Sequence, residues 1–156
     1  MPPSPVPGHR SGSAEPDPPD VEACGYRQLA ALRAGLRGYL AWAEQRAGEQ
    51  GLTPAQVQLA LVVRAHPDPS GPTVTDLAET LLLRHHSVVG LVDRAEHAGL
   101  VTRVRDEVHL SRVHVRLTPE GAERVAILSA QHLRWLAEHG EEIGSLWSSF
   151  ADPPLS

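Results

Sequence analysis

The chain of 156 residues contains no lysine; all 14 of its basic side chains are arginine. So complete a bias points to a GC-rich coding sequence rather than to a mechanism. Its single cysteine, Cys24, excludes an internal disulfide and leaves a cytoplasmic location as the default expectation. Aromatic residues make up only 4%, so a core has to be built from Leu, Val and Ala, which suits packed helices. No stretch approaches the roughly 20 apolar residues that a membrane helix requires. The proline-crowded start has neither an apolar run nor a basic lead. Residues 1–21 therefore read as a disordered tail and not as a signal peptide. His-x3-His spacing and cysteine clusters are both missing, which argues against a metal site, and nothing calls for a cofactor. A nucleophile elbow, a phosphate loop and paired catalytic carboxylates are also missing, so an enzyme is not expected.

The periodicity that is present divides residues 22–150 into helices and one ribbon. Leu29, Leu32, Leu36, Tyr39 and Ala43 recur at helical spacing and predict a long helix from about Glu22 to Glu49. Thr53 to Ala65 predicts a second, opened by Pro54 in its first turn. Val57, Leu59, Ala60, Leu61, Val62 and Val63 make that helix apolar nearly all round, which places it centrally. Thr73-Val74-Thr75-Asp76 has the form of a capping box, with Leu77 and Leu81 on one face of the helix it opens. A few residues later Val88, Leu91, Val92 and Ala95 fall at i, i+3, i+4, i+7, one stripe of a helix that Gly99 closes. Opposite the stripe stand His86, Gly90, Asp93 and His97, flanked by His85, Val89 and Arg94.

After Gly99 the period becomes two. Val113, Val115 and Leu117 alternate with Arg112, His114 and Arg116, and Leu100–Arg105 can pair with them. Such a ribbon turns Arg103, Arg105, Arg112 and Arg116 outward. Thr118 and Pro119 then open a C-terminal helix carrying Val125, Leu128, His132, Trp135 and Leu136 on one side. Gly140 is expected to break it before a last apolar turn through Ile143, Leu146, Trp147 and Phe150.

The fold class is therefore mainly α with a small β-wing (α+β): a winged helix-turn-helix with a helical dimerisation region. Residues 51–118 are expected to form the winged DNA-binding domain and residues 22–50 and 119–150 the dimerisation region, since a small core cannot cover their apolar faces; the alternative is that the two ends pack on each other in a monomer. A net charge of −5 looks unfavourable for a partner of double-stranded DNA. The charge is polarised, however. Residues 81–118 hold six arginines against Asp93, Glu96, Asp106 and Glu107, and the acids gather beyond them; local charge governs phosphate contact. The expected DNA-binding set is Thr73, Thr75, Arg84, His85, His86, Ser87, Val89, Gly90, Arg94, Arg103, Arg105, Arg112 and Arg116. Against this stands the plainer reading that His85 and His86 belong to a solvated face and that some arginines pair with nearby acids. Gly90, costing about 1 kcal/mol relative to Ala in mid-helix, serves close approach to DNA or is drift on an exposed face.

Five pieces in order, Gly51-Leu52-Thr53-Pro54-Ala55-Gln56, Val74-Thr75-Asp76-Leu77-Ala78-Glu79, Leu91-Val92-Asp93-Arg94-Ala95-Glu96, Gly99-Leu100-Val101 and Val115-Arg116-Leu117-Thr118-Pro119-Glu120-Gly121, resemble the MarR family of bacterial regulators over roughly residues 25–140. The resemblance implies a homodimer joined by its terminal helices. It also implies pseudo-palindromic operators and release by small aromatic or phenolic effectors or by oxidants. Tyr39, Trp42, Arg46 and His66 are the candidates for an effector crevice between the dimer helices and the winged domain, with ordinary packing as the alternative. The family's wing carries Asp-x-Arg at its tip where this chain has His109 and Ser111. Its turn glycine is here Leu82, and its serine cap is Arg84. Two other functions stay open: a winged-helix protein-interaction module with weak or lost DNA binding, and a thiol-based redox sensor acting through Cys24, which lies several residues earlier than the family's hydroperoxide-sensing cysteine.

Overall fold

A computed structural model describes residues 23–106, 109 and 111–150 of the chain; the tail expected over 1–21 lies outside the described residues. The elements run α1 (Ala23–Glu49), α2 (Pro54–Ala65), α3 (Val74–Leu81), α4 (His85–His97), β1 (Val101–Arg105), β2 (Val113–Leu117) and α5 (Pro119–Ser148). Threonines open three of the helices. Thr53 Oγ1 accepts the Gln56 N–H at 3.3 Å while Gln56 Oε1 accepts the Thr53 N–H at 2.9 Å. Thr73 and Asp76 form the same reciprocal pair at 3.3 and 2.8 Å. Thr118 Oγ1 accepts from Gly121 N–H at 2.9 Å and donates to the Gly99 carbonyl at 2.6 Å, which ties the start of α5 to the end of α4. Each device satisfies amides that the helix itself leaves without partners.

The core lies where α2 meets α3, α4, the ribbon and the first half of α5. Leu59, Leu77, Val88, Val92, Leu100, Val115 and Leu128 are fully enclosed there. The expected stripe of α4, Val88, Leu91, Val92 and Ala95, is buried in its entirety. Leu61, expected inside a helix buried all round, is instead 40% exposed, because α2 turns that side to the clefts beside α1 and α5. The ribbon is antiparallel, pairing Val101 with Leu117, Arg103 with Val115 and Arg105 with Val113. A third segment joins its other edge: Val115 N–H donates to the Pro72 carbonyl at 2.8 Å, and Thr73 bridges to His114.

Three further expectations need correction. Gly140 does not end the last helix, since α5 runs unbroken from Pro119 to Ser148. A mid-helix glycine costs only about 1 kcal/mol, and the apolar residues on both sides of it hold one helix against α1, where Leu146 reaches to 2.7 Å of the Cβ position of Gly35. His114 does not alternate outward; it is 8% exposed, because the Pro72–Thr73 segment covers its side of β2. Arg103 is not turned out to solvent either; its side chain is held against α4, as described below. Between α3 and α4 the position expected to need glycine is left-handed with φ 54°, occupied by Leu82 at 90% exposure.

Candidate nucleic-acid interface

Part of the predicted set meets where the starts of α3 and α4 approach the wing. Arg84 precedes α4 in an extended conformation and offers no side-chain cap. Ser87 N–H donates to the Arg84 carbonyl at 2.9 Å, and no Arg84 side-chain cap covers the helix start, where the dipole favours a phosphate. Arg84, His85, His86 and Ser87 are all exposed, Val89 and Gly90 are half-buried, and Arg94 is exposed one turn further on. A Cβ at Gly90 would meet only Arg94 Nη1, at 3.4 Å, so nothing inside the fold requires glycine there.

Thr73, Val74 and Thr75 at the start of α3 share a cleft of about 350 Å³ with His85, Ser111, Arg112 and Val113. The cleft joins α3, α4 and the wing into one continuous surface. Arg105, Arg112 and Arg116 stand exposed on the ribbon. Arg103 differs. Its Nη2 lies 2.6 Å from Asp93 Oδ1, its Nη1 pairs with Glu96, and its backbone N–H donates to Glu96 Oε1 at 2.9 Å. Desolvation lowers its pKa, but the hydrogen bonds to Asp93 and Glu96 outweigh it and raise the guanidinium above the ordinary arginine value. This arginine braces the wing against α4 and neutralises acid on the presented face, rather than offering itself to a phosphate.

Sequence reasoning missed a polar node behind the wing. His114 Nδ1 lies 2.7 Å from the Gly71 carbonyl and its Nε2 lies 3.3 Å from Asp106 Oδ2. The backbone hydrogen bond to Gly71 raises its pKa most, and Asp106 adds to it against the opposing effect of burial. Asp76 is lowered by its hydrogen bonds from Thr73, and Asp68 by those from Ser70, so both carboxylates stay ionised nearby. Gly71-Pro72 reads as a turn in the sequence, but no local signal links it to a histidine in β2.

The candidates for an effector crevice do not all meet. Tyr39 and Trp42 stack with ring centres 6.3 Å apart, and Trp42 stacks on Trp135 at 5.4 Å. Tyr39 Oη and His132 Nδ1 share a hydrogen bond of 3.0 Å, and burial lowers the His132 pKa. Two apolar clefts flank this cluster. One, of about 360 Å³, includes Tyr39, Leu61, Leu128, His132 and Leu136; the other, of about 330 Å³, includes Tyr39, Leu40, Val57 and His132. Arg46 pairs with Glu49 at 2.9 Å and borders a shallower depression with Trp42 and Trp135. His66 stands apart, at the end of α2 beside Asp68 and Arg116. Cys24 is half-buried near the start of α1. Among the described residues no group of three or more His, Cys, Asp or Glu could hold a metal ion, and no helix is long and apolar enough to cross a membrane.

Residues 50–109 match the model of the MarR family. Among solved structures, a MarR family protein from Bacillus stearothermophilus is 28% identical with a TM-score of 0.60, over 72% of this chain and 79% of that one. A mutant of MepR from Staphylococcus aureus, bound to an oligodeoxyribonucleotide, is 20% identical with a TM-score of 0.61, over 81% of this chain and 95% of that one. CouR from Rhodococcus jostii, bound to p-coumaroyl-CoA, is 19% identical with a TM-score of 0.64, over 85% and 97%. Sequence comparison with curated proteins finds no match.

Proposed function

We propose that this chain, whose residues 50–109 match the MarR family model, is a dimeric transcriptional repressor of pseudo-palindromic operators, relieved by a small aromatic or phenolic effector. One observation carries the reading. The apolar stripe of α4 is buried in the core, while Arg84 to Ser87 and Arg94 on its other side stay exposed, and His85 shares one cleft with Thr73, Thr75 and Arg112. A helix so presented fits the major groove, and the ribbon beside it reaches the adjoining backbone or minor groove. The MepR structure with bound oligodeoxyribonucleotide supports the same use of the fold.

Pairing through α1 and α5 completes the proposal. Leu29, Leu36 and Leu40 on α1 and Leu133 and Trp147 on α5 are exposed large apolar residues, more than a monomer of this size needs to leave in water. A two-fold dimer built on them sets the two α4 helices about one DNA turn, roughly 34 Å, apart. The effector belongs in the clefts around Tyr39, with Trp42 and the neighbouring Arg46 at their margin and His66 outside them. His132 is kept neutral there by burial, and its buried Nε2 lacks a hydrogen-bond partner, which offers a ligand one polar anchor in an apolar wall. Location in the cytoplasm follows from the DNA target.

The test is a gel shift with duplexes tiled across the region upstream of the protein's own gene. The expected result is one shifted duplex, lost in the double variant Arg84→Ala, Arg112→Ala. Failure to shift any duplex at low salt would leave the interaction-module reading, for which the exposed Leu82 beside α4 speaks.

A further inference from the structure

The wing is held from behind as well as by hydrogen bonds within its own loop. Asp106 directly follows β1. Its backbone N–H donates to the Arg112 carbonyl at 3.0 Å, and its Oδ1 accepts the His109 N–H at 2.8 Å. Arg112 N–H closes the loop on the His109 carbonyl at 2.7 Å. The second oxygen of the Asp106 carboxylate faces His114 Nε2, whose ring is buried, and the other ring nitrogen meets the Gly71 carbonyl. That carbonyl is itself fixed. Gly71 sits at φ +89° with its N–H on the Asp68 carbonyl at 2.9 Å, and a Cβ there would lie 2.3 Å from the Val115 oxygen.

We infer that His114, as the doubly protonated imidazolium, is the positioning residue of the wing, tethering Asp106 and the loop it organises to the α2–α3 connection. Both of its partners are acceptors without a proton, a carbonyl and a carboxylate. A neutral imidazole carries one N–H and presents a lone pair to whichever partner it does not serve. Only the cation satisfies both, with charge-assisted bonds. The surroundings agree. Acidic groups face the ring from three elements: Asp106 from the wing, Asp68 from the α2–α3 connection and Asp76 from α3. His66 at the end of α2 is engaged with Asp68. Arg112, just before β2, and Arg116, on it, each two residues from His114, are exposed and screened by solvent, and the cross-strand partner is Val104.

The sign follows from linkage. The folded pKa lies above the ordinary value of 6.5. The tether therefore contributes fully below that value and is lost as pH rises through the folded pKa. Alkalinisation loosens the wing and, with it, the placement of Arg105 and Arg112. The consequence for DNA affinity rests on the reading of the wing as a DNA contact.

The test uses the free full-length protein, so its outcome is separate from that reading. The ring resonances of His114 are followed by NMR against pH, in the wild type and in Asp106→Asn, which keeps the shape and removes the charge. Amide exchange of His109 and Arg112 is measured alongside, as a ratio to that of Val115. His114 is expected to titrate above 6.5, and lower in Asp106→Asn. Relative protection of the wing amides should fall by about tenfold across the wild-type titration, the difference between a charge-assisted and an ordinary hydrogen bond. A wild-type His114 that titrates at or below 6.5, or wing protection indifferent to both pH and the variant, overturns the assignment. The wild-type titration alone decides should the variant fold poorly.

Discussion

Two glycines show how differently one residue type can be used. At Gly121 a Cβ would fall 2.0 Å from the Leu100 carbonyl oxygen, because α5 begins in contact with the backbone that leaves α4. Neither partner is a flexible side-chain end, so Gly121→Ala should destabilise the fold by about 3 kcal/mol. Urea unfolding checks this. At Gly90 the same methyl would meet only the end of Arg94, at 3.4 Å. Gly90→Ala should raise stability by about 1 kcal/mol in the same assay, by the difference in helix propensity. If Gly90 lets the backbone come close to DNA, the variant that is more stable will also bind a duplex more weakly. Unchanged or improved binding would assign Gly90 to drift. A stability gain paired with lost affinity marks a residue kept for a partner rather than for the fold.

At the scale of elements, the wing and α4 act as a braced pair. Arg103 on β1 is held by Asp93 and Glu96 of α4, whereas Arg105 two residues on is exposed. Their alanine variants should therefore weaken DNA binding in different ways. On the proposed reading Arg105 contacts a phosphate, so Arg105→Ala should flatten the slope of log affinity against log salt by about 0.9. Arg103→Ala should lower affinity through a loosened wing and two uncompensated carboxylates, with the contribution of that one contact to the slope unchanged. Fluorescence anisotropy across a salt series separates them; equal flattening by both variants would make Arg103 a phosphate ligand after all. The same elements explain what a single sequence can disclose. The threonine-led starts of α2, α3 and α5 were legible because a capping device spans four residues and carries its own signature. The buried stripe of α4 was legible because periodicity records burial. His114 was not, since strand alternation describes two faces but not which segment covers them, and its partner Gly71 lies 43 residues away. Gly140 was misjudged for a related reason: the cost of one helical glycine is local, while the packing that overrides it comes from α1. Arg103 was placed outside by alternation alone, without the acids that α4 brings to it.

At the scale of the molecule, α1 and α5 form one platform. α1 and α5 pack on each other through Tyr39, Trp42, His132 and Trp135, yet leave Leu29, Leu36, Leu133 and Trp147 in solvent. In the proposed dimer a second copy covers that surface, so that in a chain of net charge −5 the acid-rich α5 would turn to the partner and the arginine-bearing faces would be presented twice. Leu36→Glu should accordingly give a monomer by sedimentation and abolish specific duplex binding, while the winged unit stays folded by circular dichroism. Hydroxyl-radical footprinting of the duplex selected by gel shift bears most directly on this account. Two protected patches centred about 10 base pairs apart, on the same side of the duplex, are the predicted result; a single patch, or a duplex left uniformly open to cleavage at saturating protein, would contradict it.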